Sequence, residues 1–515
     1  MTAPKARWFA LAALSLALLA VGLDLTVLNI ALPTLAVDLH ATTSQLQWFA
    51  TAYTLVLAAA LLPAGLLGDR YGRKKMLLSA LVLFGAASAA CAFAPSAGVL
   101  IAARALLGLA AAFLLPLSMS ILPVLFSAQE RPRAIGIWAT ANAIGVPIGP
   151  IVGGLLLEHY WWGSVFLINI PLVVIALVAV GTLVPESRSQ QRRRLDLTGV
   201  VLSSLGLLGV TYGVIRAGAD GWGDAGTIGS LLAGAVLVAV FVWWQRRTTD
   251  PLIDLDLFRS PSFTWGTALT TVVSFAMFGL LFALPQFFQS VNGVSTLSTG
   301  LRLLPMIGGL VLSVRVADRV ARRTGNKLVV LTGFLVMAAA LALGATTTTS
   351  SGYGFAATWL AVFGAGLGFA MPTAMNAAMS PLSAERSGVG SALLMTTRQV
   401  GGAVGVAILG TVLSSGYQAG LDLTGLPAPV AAAARASVNT GVRVAEQLHL
   451  PGLLSSVRDA FVHGMDATLW VSAGLATLGV LIAAAFLPAR SATMEDNGEA
   501  ARTTGSEHEV GGVTR

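Results

Sequence analysis

The chain has 515 residues, 56% of them hydrophobic and 10% charged, with 56 glycines and a mean hydropathy of +0.80. Its 31 basic and 23 acidic side chains are too few to cover a body of this size in water, which excludes a soluble fold and leaves a polytopic membrane protein. The net charge of +8 would suit a nucleic-acid binder, but the basic residues sit in short loops between apolar runs, so that class is excluded too.

Apolar stretches of about 20 residues, enough to cross the ~30 Å hydrocarbon layer as a helix, recur along the chain. Fourteen are expected, at 9–32, 46–67, 77–95, 98–125, 134–157, 164–184, 198–216, 227–245, 262–288, 299–317, 328–346, 354–379, 388–415 and 466–487. The first follows Lys5 and Arg7 as a signal peptide would, yet it is too long for one and contains Asp24, so it is read as retained. The single cysteine, Cys91, lies inside the third run as a small packing residue and excludes disulfides.

With the N-terminus inside, the inner segments hold most of the arginines and lysines, whereas the short outer connections and helix ends offer only Arg216 and Arg302. That asymmetry predicts two cytoplasmic termini. The outer connection 416–465 carries Arg435, Arg443 and Arg458, but long translocated segments escape the charge rule. Its amphipathic stretches 431–448 and 453–462 predict a small helical hairpin, either a passive cap or a part of the gate. The polar tail 489–515 has the composition of a disordered segment.

An internal repeat relates two inner loops: Asp69-Arg70 with Arg73-Lys74 after the second run, and Asp318-Arg319 with Arg322-Arg323 after the tenth. Each is an acid beside an arginine with basic residues three and four positions on. The division expected from it is an N-terminal six-span bundle (1–197), two additional spans with an inner linker (198–260), spans 9–13 of a C-terminal bundle (261–415), the outer loop (416–465), span 14 (466–488) and the tail (489–515).

In the stretch 65–77, Gly65, Gly68 and Gly72 suit a tight turn between helices, and Asp69 can face an arginine or a helix end. A plain stop-transfer charge cluster would need neither. The stretch matches at each defining position the loop signature of the major facilitator superfamily, which it resembles. In the fifth run, Gly145, Gly149 and Gly153 recur every four residues and bare one helix face, while Pro147 and Pro150 remove backbone donors. That pattern is a packing seam in its own right; with Gly154 it also resembles the signature that separates the superfamily's exporters from its importers. Residues 23–33, 104–108 and Trp162, Phe166, Asn169 and Pro171 extend the resemblance to the fourteen-span drug:proton antiporters, over residues 8 to about 488.

The resemblance implies an all-α major facilitator fold, two six-helix bundles plus two extra central spans. It further implies export of amphipathic compounds in exchange for protons, with Asp24 and Arg104 in proton coupling and Gly65, Asp69, Arg70, Gly72, Arg73, Asp318 and Arg319 latching the inner side. By its own chemistry Asp24 is an acid deep within a span, where burial disfavours the charged form and a nearby cation favours it. Proton and cationic cargo can then compete for one carboxylate; a purely structural partner for Arg104 is the alternative. Arg398 also lies within a span, either at the cavity or anchoring the helix contact made by Gly401 and Gly402.

Where broad-range dication pumps of this type carry acids, this chain has Thr51, Leu310, Leu394 and Met395, so monovalent cations, zwitterions or neutral antibiotics are the expected cargo. Candidate lining residues are Asn29, Tyr53, Trp138, Asn142, Phe278, Phe282, Gln286, Met371, Met375, Asn376, Arg398 and Gln399, with ordinary helix packing as the other reading of the same spacing. No phosphate-binding Gly-x-x-x-x-Gly-Lys-Ser/Thr loop, no metal-ligand spacing and no nucleophile-base grouping occurs, so neither cofactor nor metal nor catalysis is expected. The reading that results is a monomeric, proton-driven multidrug exporter of a bacterial cytoplasmic membrane. Its alternatives are an exporter dedicated to one endogenous metabolite or antibiotic, and an importer on the same fold.

Overall fold

The computed structural model describes residues 4–127, 129–188, 196–249, 251–253, 255–382 and 384–488; the tail at 489–515 lies outside them. Among the described residues the regular structure is helical throughout, with no strand. This is the economical answer to a medium without water, because a helix satisfies its own backbone.

Seven helices make the first group: α1 (Pro4–Asp38), α2 (Thr43–Tyr71), α3 (Arg73–Ala92), α4 (Ala97–Leu125), α5 (Arg131–His159), the short α6 (Ser164–Leu167) and α7 (Asn169–Leu183). Within it, α1 packs along α5 and α7, α2 along α4, and α3 against α4 and α7. Local signals start the helices where expected: Thr42 and Gln45 close a reciprocal capping box at α2, and Ser96 caps α4.

An antiparallel pair follows, α8 (Leu197–Asp220) and α9 (Ala225–Gln245), zipped by Gly206, Gly209 and Gly234 and resting through α8 on α2. Asp196 ties the end where α8 begins and α9 finishes, accepting from Gly199 N, Trp244 Nε1 and Gln245 Nε2 at 2.6–2.9 Å.

In the second group, α10 (Pro261–Gln286) ends in a π-helical turn at Phe287–Val291 and is followed by α11 (Thr296–Arg302), α12 (Leu304–Thr324), α13 (Asn326–Gly344), α14 (Tyr353–Met379) and α15 (Ala384–Gly420). α10 packs along α15 and α14, and α12 and α13 along α14; α15 also meets α2 and α8. The chain closes with α16 (Ala428–Ala436), α17 (Val438–Gln447) and α18 (Pro451–Phe486), the last packing on α13 and α15.

Twelve helical segments among the described residues are long and apolar enough to cross a membrane. The fourteen of the sequence reading are these twelve with α2 and α5, each 29 residues long, whose apolar windows run through side chains outside the described set. The count established by the described residues is therefore twelve.

The segment 416–465 differs in detail from a simple hairpin. The stretch 431–448 breaks at Ser437, whose extended backbone lets its hydroxyl cap α17, and the stretch 453–462 is no separate arm but the first turns of α18. Hydrogen bonds joining the two groups gather at this end of the molecule: Gln289 Nε2 donates to Ile30 O (2.9 Å), Thr296 Oγ1 to Gly154 O (3.1 Å) and Thr43 Oγ1 to Ala436 O (3.2 Å).

Candidate functional site

Asp24 on α1 and Arg104 on α4 form an ion pair with exposures of 0% and 1%. Arg104 Nη1 donates to Asp24 Oδ2, and Arg104 Nε donates to the Phe49 carbonyl at 3.1 Å. The guanidinium lies 4.6 Å from the centre of the Tyr53 ring and 6.0 Å from that of Phe166, two faces that favour a desolvated cation. Asp24 Oδ1 and Tyr53 Oη are buried without a hydrogen-bond partner. A buried ion pair repays its desolvation only when its remaining lone pairs are satisfied, so the unpartnered oxygen leaves this pair under-compensated, with Asn169 as the other polar side chain acting on the carboxylate.

Glycines bring the backbones close enough for this. A β-carbon at Gly108 would lie 2.9 Å from Tyr53 Cα, so α4 approaches α2 one turn from Arg104 only because that residue has no side chain. On α5, β-carbons at Gly145, Gly149 and Gly153 would come 2.8 Å from Leu19 O, 3.0 Å from Leu23 O and 3.2 Å from Val27 O. The bare stripe therefore grips the turns of α1 that hold Asp24. On the same helix, a β-carbon at Gly154 would lie 2.7 Å from Thr296 O and one at Gly300 2.9 Å from the Pro150 carbonyl carbon. α5 thus touches the acid-bearing helix with one face and α11 of the second group with another.

Between the groups, Leu25, Leu28, Asn29, Ala50, Thr54, Arg104, Phe278, Gly402 and Val406 bound a cavity of about 10 Å³. This is the size at which a cavity begins to admit one water. Asn29 and Phe278, two of the sequence candidates, meet here with Arg104, and Tyr53 backs the guanidinium.

Other candidates fall elsewhere. Phe282 and Gln286 are buried on α10, where Gln286 Oε1 accepts from Asn439 Nδ2 of α17 at 3.4 Å. Trp138 is buried and donates from Nε1 to Ser118 Oγ at 3.0 Å, holding α5 to α4. Met371, Met375, Arg398 and Gln399 are half-buried on α14 and α15, and Asn376 is exposed. The side chains of Asn142, Asp69 and Pro147 lie outside the described residues.

At the α2–α3 turn, Gly72 has φ +112°, a conformation that favours glycine, and begins α3 directly after α2. Arg73 Nη1 donates to the Ser120 carbonyl of α4 at 3.1 Å, and Gly65 faces Pro116 of the same helix. Arg70 is exposed with its guanidinium 5.5 Å from the Tyr71 ring centre; Asp318 and Arg319 are exposed on α12.

Sequence reasoning missed Glu186, whose carboxylate accepts from Lys74 N (3.1 Å) and Lys75 N (3.2 Å) and so closes the first turn of α3 with an anion. A lone acid just beyond the sixth apolar run, opposite a helix that starts without a capping side chain, was the available signal. Gln289, which reaches across to α1, was missed too; a glutamine ending an otherwise apolar run was its trace.

The sequence model of the Major Facilitator Superfamily matches residues 14–406. The multidrug efflux pump LfrA of Mycolicibacterium smegmatis is 36% identical over 492 residues, covering 94% of this chain and 96% of that protein. The tetracenomycin C resistance and export protein of Streptomyces glaucescens is 33% identical, with coverage of 92% and 91%. The methyl viologen resistance protein SmvA of Salmonella typhimurium is 33% identical, with coverage of 90% and 94%. Among solved structures, an inward-facing, unoccupied bacterial homolog of the human lysosomal transporter Spinster superposes with a TM-score of 0.69 at 17% identity, covering 95% of this chain and 99% of that one.

Proposed function

This chain belongs to the Major Facilitator Superfamily, and from that premise we propose that it is a multidrug efflux pump, exporting amphipathic drugs or antibiotics in exchange for protons. The observation that carries the reading is the buried Asp24–Arg104 pair with its orphan oxygen, clasped by the glycine face of α5. A proton reaching Asp24 cancels its charge and releases Arg104; losing that proton restores the pair. Because α5 bears on both α1 and α11, a change at the pair alters packing between the two groups of helices, and alternating access follows as their rocking about the cavity.

Protonation from the outside and release to the cytoplasm set the direction. A membrane potential of 100 mV contributes about 2.3 kcal/mol per net charge moved, so export of a cation depends on stoichiometry as well as on the pH gradient. The scheme needs no bound cofactor, metal or covalent step. It places the protein as a monomer in the bacterial cytoplasmic membrane, fourteen spans with both termini inside, the latch residues Asp69, Arg70, Asp318 and Arg319 on the cytoplasmic side, and monovalent cations, zwitterions or neutral antibiotics as cargo.

A second reading, a dedicated exporter of one endogenous antibiotic, is favoured by the relative named for a single compound. Inverted membrane vesicles separate the possibilities. Cargo accumulation that appears with an imposed pH gradient and collapses with an uncoupler is the expected result; accumulation indifferent to the gradient would remove proton coupling. Growth of an efflux-deficient host on a panel of dyes, biocides and antibiotics then distinguishes a broad range from a single cargo.

A further inference from the structure

Apart from Asp466, half-buried on α18, Arg398 is an interior charge for which the Asp24–Arg104 pair does not account. It stands on α15, one turn before Gly402, and residues four apart share a helix face. Gly402 bounds the central cavity together with Arg104. At this height α15 is pressed onto α10, since a β-carbon at Gly401 would lie 2.6 Å from Thr271 O and one at Gly402 2.8 Å from the Phe278 ring. The arginine side chain instead reaches α14, with Nη1 3.8 Å from Met375 Sδ, a weak acceptor. Its Nε is buried without a partner, and among the described residues no carboxylate pairs with it.

A guanidinium has five donors, and an ionised group this deep in a membrane protein is tolerated when something answers its charge. Asp24 is committed to Arg104, so that pair sums to zero and offers Arg398 no counter-charge. We propose that Arg398 is a cargo-anchoring residue that takes an anionic or strongly accepting oxygen, such as a carboxylate, a phenolate or a quinone-type carbonyl, on an otherwise apolar molecule. Met371 and Met375 supply the soft surface beside it for the apolar body. This rests on the efflux reading and narrows it: of the three cargo classes, zwitterions and carbonyl-rich neutral compounds are favoured over simple cations. A phospholipid phosphate offers the same oxygen chemistry, but Arg398 lies ten residues inside the apolar run 388–415. That is about 15 Å along the helix from one end of the run and about 25 Å from the other, away from headgroups.

The test is equilibrium binding to the purified full chain in detergent, using two dyes built on one xanthene frame, anionic fluorescein and cationic rhodamine 123. Wild type is expected to prefer fluorescein. Arg398→Gln should weaken fluorescein about tenfold or more while leaving rhodamine 123 within about twofold, and Arg398→Lys should recover most of the loss. Rhodamine binding reports that the variant is folded. Equal or tighter binding of rhodamine by wild type, unchanged fluorescein affinity in Arg398→Gln, or equal loss of both dyes in both variants would overturn the assignment; if Arg398→Gln cannot be purified, the wild-type preference and Arg398→Lys still decide it. Displacement of fluorescein by added phosphatidylglycerol through Arg398 would give the site to lipid and also overturn it. Arg398-dependent binding without gradient-driven movement of either dye in inverted vesicles would leave the anchor standing and sink the efflux reading instead.

Discussion

Taking Arg104 away from Asp24 would strand a fully buried carboxylate without its counter-ion, leaving only the neutral Asn169 amide beside it. Arg104→Leu should therefore cost about 3–5 kcal/mol of stability, seen as a lowered thermal midpoint of the detergent-solubilised protein. Asp24→Asn is milder for the fold, because the amide oxygen still accepts from Arg104. It should remain folded and bind cargo yet lose gradient-driven accumulation in vesicles; full accumulation by this variant would remove Asp24 from the coupling scheme. Both residues are readable in the sequence because an ion inside an apolar run demands a counter-ion. The ring of Tyr53 under the guanidinium and the Phe49 carbonyl beside it are not, since neither a cation–π face nor a backbone acceptor leaves any mark in residue type.

Among the elements, α5 has most at stake. Gly149→Leu would drive a side chain into Thr26 and the α1 backbone at Leu23, and transport in vesicles should fall at least about tenfold while the protein still inserts; wild-type activity would make the glycine stripe incidental. The spacing of Gly145, Gly149 and Gly153 announced a close helix contact, but a repeat of four names no partner, and only the folded chain identifies α1 on one face and α11 on the other. The α8–α9 turn supplies a control. Asp224 is held below the ordinary carboxylate range, first by the Thr227 backbone N–H and then by Arg216. A carboxyl lowered on folding stabilises above its unfolded value, about 3.9, and loses that contribution only as pH falls through the still lower folded one. The cap therefore stays ionised through the working range, and Asp224→Asn should leave the pH profile of transport unmoved.

For the molecule as a whole, the bonds from Gln289 to Ile30, Thr296 to Gly154 and Thr43 to Ala436 close the end that carries α16 and α17. Opening that end has to break them, so spin labels at the neighbouring Ser44 and Arg435 should show a second, longer separation when cargo and low pH are supplied together; one unchanged separation would argue against rocking about the cavity. Helical class and most spans were visible in hydropathy, because membrane insertion writes its demands into runs of about 20 residues. The joining bonds were not, as they depend on side chains brought together from distant parts of the chain. The space beside Arg104, about 10 Å³, carries one more implication. That is room for about one water, whereas a sodium or potassium ion carries a shell of several, so at this level a hydrated ion is turned back by lack of room, without any dedicated filter. A reconstituted pump resting in this state should hold an ionic gradient with almost no leak conductance.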